Sequence, residues 1–273
     1  MTKKFRCGVL GAVLLGAARL FAQEHEAHEE VPEANPGRPT VSTPATLTEV
    51  GYVQVESGGL YAAGSPEVGA RFGESEVAKL TLTDRLQLLV SSEPLVHAAG
   101  VTGDSLPGSR SGEVFAGLQG VAIAGKGARP TVSVSYIRRL HESPAPEVDI
   151  GTFRQSALFL CSGDLGRFHA DLNGMFSEQA AGSVRRGQLG QSLSVSHPVG
   201  AYTVAGEIWH FTQPLTRGNA VGTLWAVSRA LRRDVVIDAG FDHGFTSSST
   251  QWEGFAGVTV VLPHRLWRRG GHE

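Results

Sequence analysis

The chain has 273 residues, a formal charge of -2 and 18% charged residues, with 35 glycines and 41% hydrophobic residues. Scattered Lys and Arg without interleaved aromatic residues give no basis for nucleic acid as a partner. Nothing after Ala22 approaches the ~18 consecutive apolar residues of a spanning helix, so a membrane-inserted mature chain has to cross as strands.

Lys3, Lys4 and Arg6 precede the apolar stretch Cys7 to Ala18, and Ala22 is a small residue suited to cleavage before Gln23. Residues 1–22 therefore read as an export signal. An uncleaved anchor is the alternative, but the apolar run is short for a ~30 Å hydrocarbon core. Cys7 leaves with the signal, so Cys161 has no internal partner, and a barrel closed by backbone hydrogen bonds needs none. Residues 23–45 are rich in Glu, His and Pro, and are expected to form a flexible acidic periplasmic arm. Within it His25 and His28 stand among glutamates as weak metal-ligand candidates. An arm without fixed geometry favours a solvated linker, and no metal is expected. No cofactor is expected either, because the glycines fall in strands and turns without a following helix.

Residues 46–262 are expected to form one antiparallel transmembrane β-barrel of about twelve strands, within roughly ten to fourteen. Strand-like segments lie near 47–62, 75–83, 85–92, 113–124, 130–139 and 152–162, then near 166–177, 188–197, 201–211, 219–230, 233–243 and 251–262. Val53, Val55 and Tyr61 share one face of the first, and Gln54 with Glu56 the other. In the seventh, Phe168, Ala170, Leu172 and Phe176 oppose His169, Asp171, Asn173 and Met175. In the eleventh, Val235, Ile237, Ala239 and Phe241 oppose Asp238 and Asp242. A period of two sends one set outward and the other into the lumen. The fourth, sixth and eighth segments alternate poorly. Tight connections at Asp84, Gly125–Arg129, Gly163–Leu165, Pro198–Gly200 and Arg232 contrast with longer ones at Ala63–Glu74, Glu93–Gly112 and His141–Gly151. Short periplasmic turns and longer extracellular loops are the barrel pattern. Residues 263–273 make a basic C-terminal tail.

The run Asn35-Pro-Gly-Arg-Pro39, followed by Gly51-Tyr-Val-Gln54-Val-Glu56-Ser-Gly58, resembles the opening of an outer-membrane transporter family filed under the MetA pathway of phenol degradation. Leu80-Thr-Leu-Thr-Asp84-Arg-Leu-Gln-Leu88 resembles that family's Thr-Asp hairpin. His169-Ala-Asp-Leu-Asn173-Gly, Gly206-Glu207, Asp238-Ala-Gly240-Phe-Asp-His-Gly244 and Gly257-Val-Thr-Val resemble its later strands. The likeness covers most of the mature chain in short motifs. Gly112-Glu113 replaces an expected Gly-Asp pair, and the last strand does not end the chain on an aromatic residue. The resemblance implies passage of small molecules, hydrophobic or aromatic if the family label holds, rather than catalysis.

The candidate lumen-lining residues are Gln54, Glu56, Lys79, Gln87, His169, Asp171, Asn173, Glu207, Asp238 and Asp242. Glu56 and Lys79, on neighbouring strands, are placed to pair. An acid-lined pore favours cations or polar solutes, whereas the same groups fully satisfied make a polar plug. No Gly-x-Ser-x-Gly elbow occurs, since Gly108 to Gly112 centres on Arg110. His169 and Asp171 supply at most half of a hydrolase triad. Trp209, Trp225, Trp252 and Tyr202 suit aromatic girdles or walls. The readings in order are an outer-membrane channel, a sealed or surface-binding barrel, a barrel hydrolase and a soluble periplasmic β-protein. The expected partners are outer-membrane lipid, the barrel-assembly machinery and an unidentified small solute; the oligomeric state is not legible.

Overall fold

The computed structural model describes residues 31–101, 107–146, 148, 153–181, 183–215 and 218–267. The expected signal at 1–22, the His25/His28 pair and the end of the basic tail lie outside these residues.

Thirteen strands follow in chain order. They are β1 (Val53–Ala63), β2 (Val68–Thr83), β3 (Leu86–Val101), β4 (Gly108–Arg110), β5 (Val114–Ile123), β6 (Thr131–His141) and β7 (Phe153–Leu165). After these come β8 (Phe168–Ala181), β9 (Val184–Val199), β10 (Tyr202–Gln213), β11 (Gly218–Arg232), β12 (Val235–Gly244) and β13 (Trp252–Val261). Each long strand pairs antiparallel with its neighbours, β1 pairs with both β2 and β13, and β2 pairs with β3. That last pairing closes a ring of twelve long strands, with the three-residue β4 appended to β3. The expected all-β barrel is present, and no described residue is helical. Closure leaves no open edge among the long strands, the condition for a sheet whose outside is apolar.

Alternation sorts the faces as the strands require. Leu118, Val134, Phe159, Leu172, Leu193, Ile208, Trp225 and Phe241 are exposed on the outside. Gln54, Gln119, Ser133, Asp171, Ser192, Glu207 and Asp242 are buried on the inside. A soluble domain buries its apolar face; here the polar face is the buried one.

One rim carries the connections 84–85, 124–130, 166–167, 200–201 and 233–234. Gly166 and Gly200 take φ of 68° and 62° in two of these turns, a left-handed conformation that disfavours a side chain. The turns expected at Gly163–Leu165 and Pro198–Gly200 thus lie a few residues later. At the opposite rim, β2 and β3 run further than expected, through Val68–Glu74 and Glu93–Val101. A register shift between Glu74 and Glu76, opposite Glu93 and Pro94, interrupts the ladder there and blurs the sequence alternation.

Two aromatic side chains point inward over glycines of adjoining strands. Phe211 lies where a Cβ on Gly190 would meet its ring at 2.6 Å, and a Cβ on Gly222 would overlap the Trp209 ring. Trp209 is only 2% exposed, so it belongs to the lumen and not to a girdle, whereas Trp225, Trp252 and Tyr202 face outward. Gly222→Val is expected to cost about 1–3 kcal/mol through overpacking. Gly174→Ala, where an added Cβ meets nothing within 4 Å, should be neutral. Urea midpoints of the detergent-solubilised protein, read from heat-modifiable mobility, separate the two.

Candidate functional site in the lumen

All ten candidate lumen residues lie on the inner face, and nearly all of them are buried. What buries them is the chain's own N-terminal segment. Of the stretch read from the sequence as a flexible arm and the start of the first strand, Asn35 to Thr48 runs across the lumen instead. Ala34 N–H donates to Arg233 O in the β11–β12 turn at 2.8 Å, and Thr48 meets Thr81 and Gln87 beside the β2–β3 turn. Both ends of the segment therefore sit at the short-turn rim, and its middle crosses to the far wall.

The wall holds this segment mainly by its backbone. Gln54 accepts from Asn35 N–H and donates to Asn35 O, both at 2.8 Å. Asn173 repeats the pattern on Thr43, at 2.7 and 3.0 Å. Glu207 accepts from Val41 N–H and Ser42 N–H at 2.7 Å each, and from the Ser42 hydroxyl at 2.6 Å. Gly37 N–H donates to Glu56 at 3.1 Å, and Glu56 also pairs with Lys79, as their neighbouring strands led us to expect. Ala45 donates to Ser162 at 2.7 Å and accepts from Ser133 at 2.5 Å, while Gln119 donates to Pro44 O at 3.0 Å. Thr48 N–H donates to Gln87 at 3.0 Å.

Arg38 is the segment's one charged residue. It reaches Asp238 at 3.4 Å and Ser75 at 3.3 Å. Its guanidinium lies on the facing glycines Gly58 and Gly257, where a Cβ on either would come within 2.5 Å of it. Asp242 accepts from Trp209 Nε1 at 2.5 Å. Hydrogen bonds to carboxylates are among the stronger ones, and a buried N–H left without its acceptor costs about 1–3 kcal/mol, so this lattice specifies one path for the segment.

His169 and Asp171 come together, but not as half of a triad. The Ser162 hydroxyl donates to Asp171 Oδ1, the same oxygen that lies 3.4 Å from the imidazole Nε2, and the other ring nitrogen meets Asp164 at 2.7 Å. The hydroxyl is bonded to the carboxylate and not to the imidazole, which is not the serine–imidazole–carboxylate order of a triad.

Beyond the segment, toward the other rim, the lumen opens into two cavities that share Val41. One, of about 170 Å³, is walled by Val41, Ile137, Phe153, Leu158, Met175 and Phe211, with Thr43, Ser156, Asn173, Gln191 and Ser192 as its polar groups. The other, of about 240 Å³, carries Arg38, Arg71, Glu93, Asp242 and Glu253. Residues 143–146, after β6, fold over this end. Arg71 Nε donates to Pro146 O at 2.8 Å while its guanidinium pairs with Glu93 at 2.7 Å, and Ser143 donates to Ser111 O at 2.6 Å. Arg139 pairs with Glu113 at 2.6 Å just before β5, where burial pushes the Glu113 carboxyl up to about 7 against the pull of that guanidinium.

Sequence reading found the carboxylates and amides at Gln54, Glu56, Gln87, Asp171, Asn173, Glu207, Asp238 and Asp242, and missed Gln119, Ser133, Ser162, Ser192 and Trp209 as lumen residues. It also missed the segment itself. The available signal was a change of composition: Glu and His crowd Glu24 to Glu33, whereas Asn35 to Thr48 is small, Pro- and Thr-rich and nearly uncharged.

No family model and no curated protein matches the chain. Among solved structures it is similar to the NanC porin, at TM-score 0.55 and 11% identity over 76% of this chain and all of that one. It is similar to an outer membrane channel from Pseudomonas putida F1, at TM-score 0.55 and 14% identity over 84% of this chain and all of that one. The KdgM porin matches at TM-score 0.50 and 8% identity, over 76% and 98% of the two chains. At these identities the likeness establishes the architecture: this chain has the fold of outer-membrane porins.

Proposed function

We propose that the protein is an outer-membrane channel for small hydrophobic or aromatic molecules, closed in its periplasmic half by residues Asn35–Thr48. The porin fold, the apolar outer belt and the buried polar interior support the membrane setting, with lipid and the barrel-assembly machinery as partners. The observation that carries the substrate reading is the cavity of about 170 Å³ directly above the segment. Most of its exposed wall is carbon, with five polar side chains among the lining residues, the usual make-up of a small-molecule site. Apolar cavities of roughly 150 Å³ already hold a benzene ring. A sealed structural barrel is the second reading, favoured by how completely the wall binds the segment.

Planar-bilayer recording separates the two. A channel shows ion current that single-ring aromatic solutes reduce, and Ser156→Phe, which fills the cavity from a buried wall position, abolishes that block. Current indifferent to aromatic solutes removes the substrate assignment. No current at all from correctly folded protein removes the channel in favour of the sealed barrel.

A further inference from the structure

We infer that the periplasmic half of the lumen is a polypeptide-binding site, able to hold a peptide supplied by another chain as it holds its own segment. This rests on the channel reading only for which side the site faces. The contacts on the page are those of a groove that reads main chain. Gln54 and Asn173 each clasp one residue's N–H and C=O through a single side-chain amide. Glu207 takes two consecutive N–H groups on its two oxygens. Backbone groups occur in every peptide, so these bonds place no demand on sequence. Sequence enters at three points: Arg38 pairs with Asp238, and Ser42 and Ala45 are both fully buried, three residues apart, and leave room for small side chains only. The ligand class is therefore an oligopeptide with small residues at that spacing, a basic residue four positions before the first of them, and free N–H groups where Glu207 and Asn173 wait.

Occupancy by the covalent segment sets the condition for binding. A tethered segment outcompetes a free one through its effective concentration, so a foreign peptide enters only when the tether's hold is weakened. The wall needs no change for this. Proline at positions 42 and 43 removes the Ser42 N–H and hydroxyl that Glu207 accepts and the Thr43 N–H that Asn173 accepts, keeps the Val41 N–H, and leaves both acceptors in place.

The test uses the full chain carrying Ser42→Pro and Thr43→Pro, in detergent, with a fluorescein-labelled peptide of the native sequence Asn35–Thr48. Anisotropy should show this variant binding the native peptide more tightly, by about tenfold or more, than a peptide with proline at the same two places, since the bonds lost to the Glu207 carboxylate alone are worth that factor. A peptide with alanine everywhere except Arg38 and Ser42 should bind nearly as well as the native one, which separates main-chain reading from recognition of this one sequence. Equal binding of the native and proline peptides, or equal uptake by the native protein and the variant, overturns the inference. Should the variant not fold, hydrogen exchange on the native protein decides. Protection of the Val41, Ser42, Thr43 and Ala45 amides upholds a main-chain site, and exchange at the rate of a free peptide overturns it. Both readouts are independent of conductance, so peptide binding by a barrel that passes no current would sink the channel reading alone.

Discussion

Glu207→Ala is expected to convert a mostly closed lumen into one with frequent, larger openings in planar bilayers. The carboxylate receives two backbone N–H groups and one hydroxyl from the turn of the segment at Val41 and Ser42. Alanine leaves these donors buried beside an empty space. At about 1–3 kcal/mol for each stranded donor, the balance between seated and displaced segment moves by roughly a hundredfold if two are lost. Arg38 with Asp238 and the Asn173 clasp remain, so the segment is loosened rather than released outright. Glu207→Gln keeps one acceptor oxygen and should fall between the two. The barrel wall itself is untouched, because the β9–β10 and β10–β11 ladders depend on main-chain pairing. Unchanged open probability in a heat-modifiable, correctly folded Glu207→Ala protein would mean that the segment does not control the passage.

The strands were legible because their faces differ in chemistry at a period of two. β8 and β12 state this plainly: Leu172 and Phe176 against Asp171 and Asn173, Ile237 and Phe241 against Asp238 and Asp242. β7 does not, because Leu158 and Leu160 face inward toward the carbon-lined part of the lumen, so both of its faces read as apolar. β5 is blurred for the same reason: Phe115 lies inside, stacked on Phe153 at 4.6 Å. The segment Asn35–Thr48 showed only as a change of composition, and not as part of the lumen. A polar stretch with little apolar surface is ordinarily left outside a fold, since it cannot offset its own ordering entropy by hydrophobic burial. Inside a polar lumen the compensation comes from hydrogen bonds to main-chain groups, which carry no side-chain signature. The acceptors Gln54, Asn173 and Glu207 could be picked out as inward-facing; the donors they serve are ordinary backbone amides, so the pairing is written only in three dimensions.

The outer face yields the sharpest stability prediction, and its size depends on depth. Leu193 faces outward between Leu172 on β8 and Ile208 on β10, its register partners, and all three are exposed. It stands six residues from Val199 at the short-turn rim. At about 2.3 Å of height per residue for strands tilted near 45°, that is roughly 14 Å in, close to mid-bilayer. Leu193→Arg should therefore destabilise the barrel by about 2–4 kcal/mol. Ile237 is also outward and apolar, but it lies two residues from Val235, beside Arg229 in the β11–β12 register. A second arginine there meets the interfacial zone where Arg229 already rests against Tyr202 at 5.4 Å, so Ile237→Arg should cost only about 0–1 kcal/mol. Unfolding titrations in lipid vesicles measure both. A soluble barrel has no depth gradient, because water surrounds every outward position alike; equal and small penalties at Leu193 and Ile237 would therefore contradict a bilayer around this belt, whatever the lumen does.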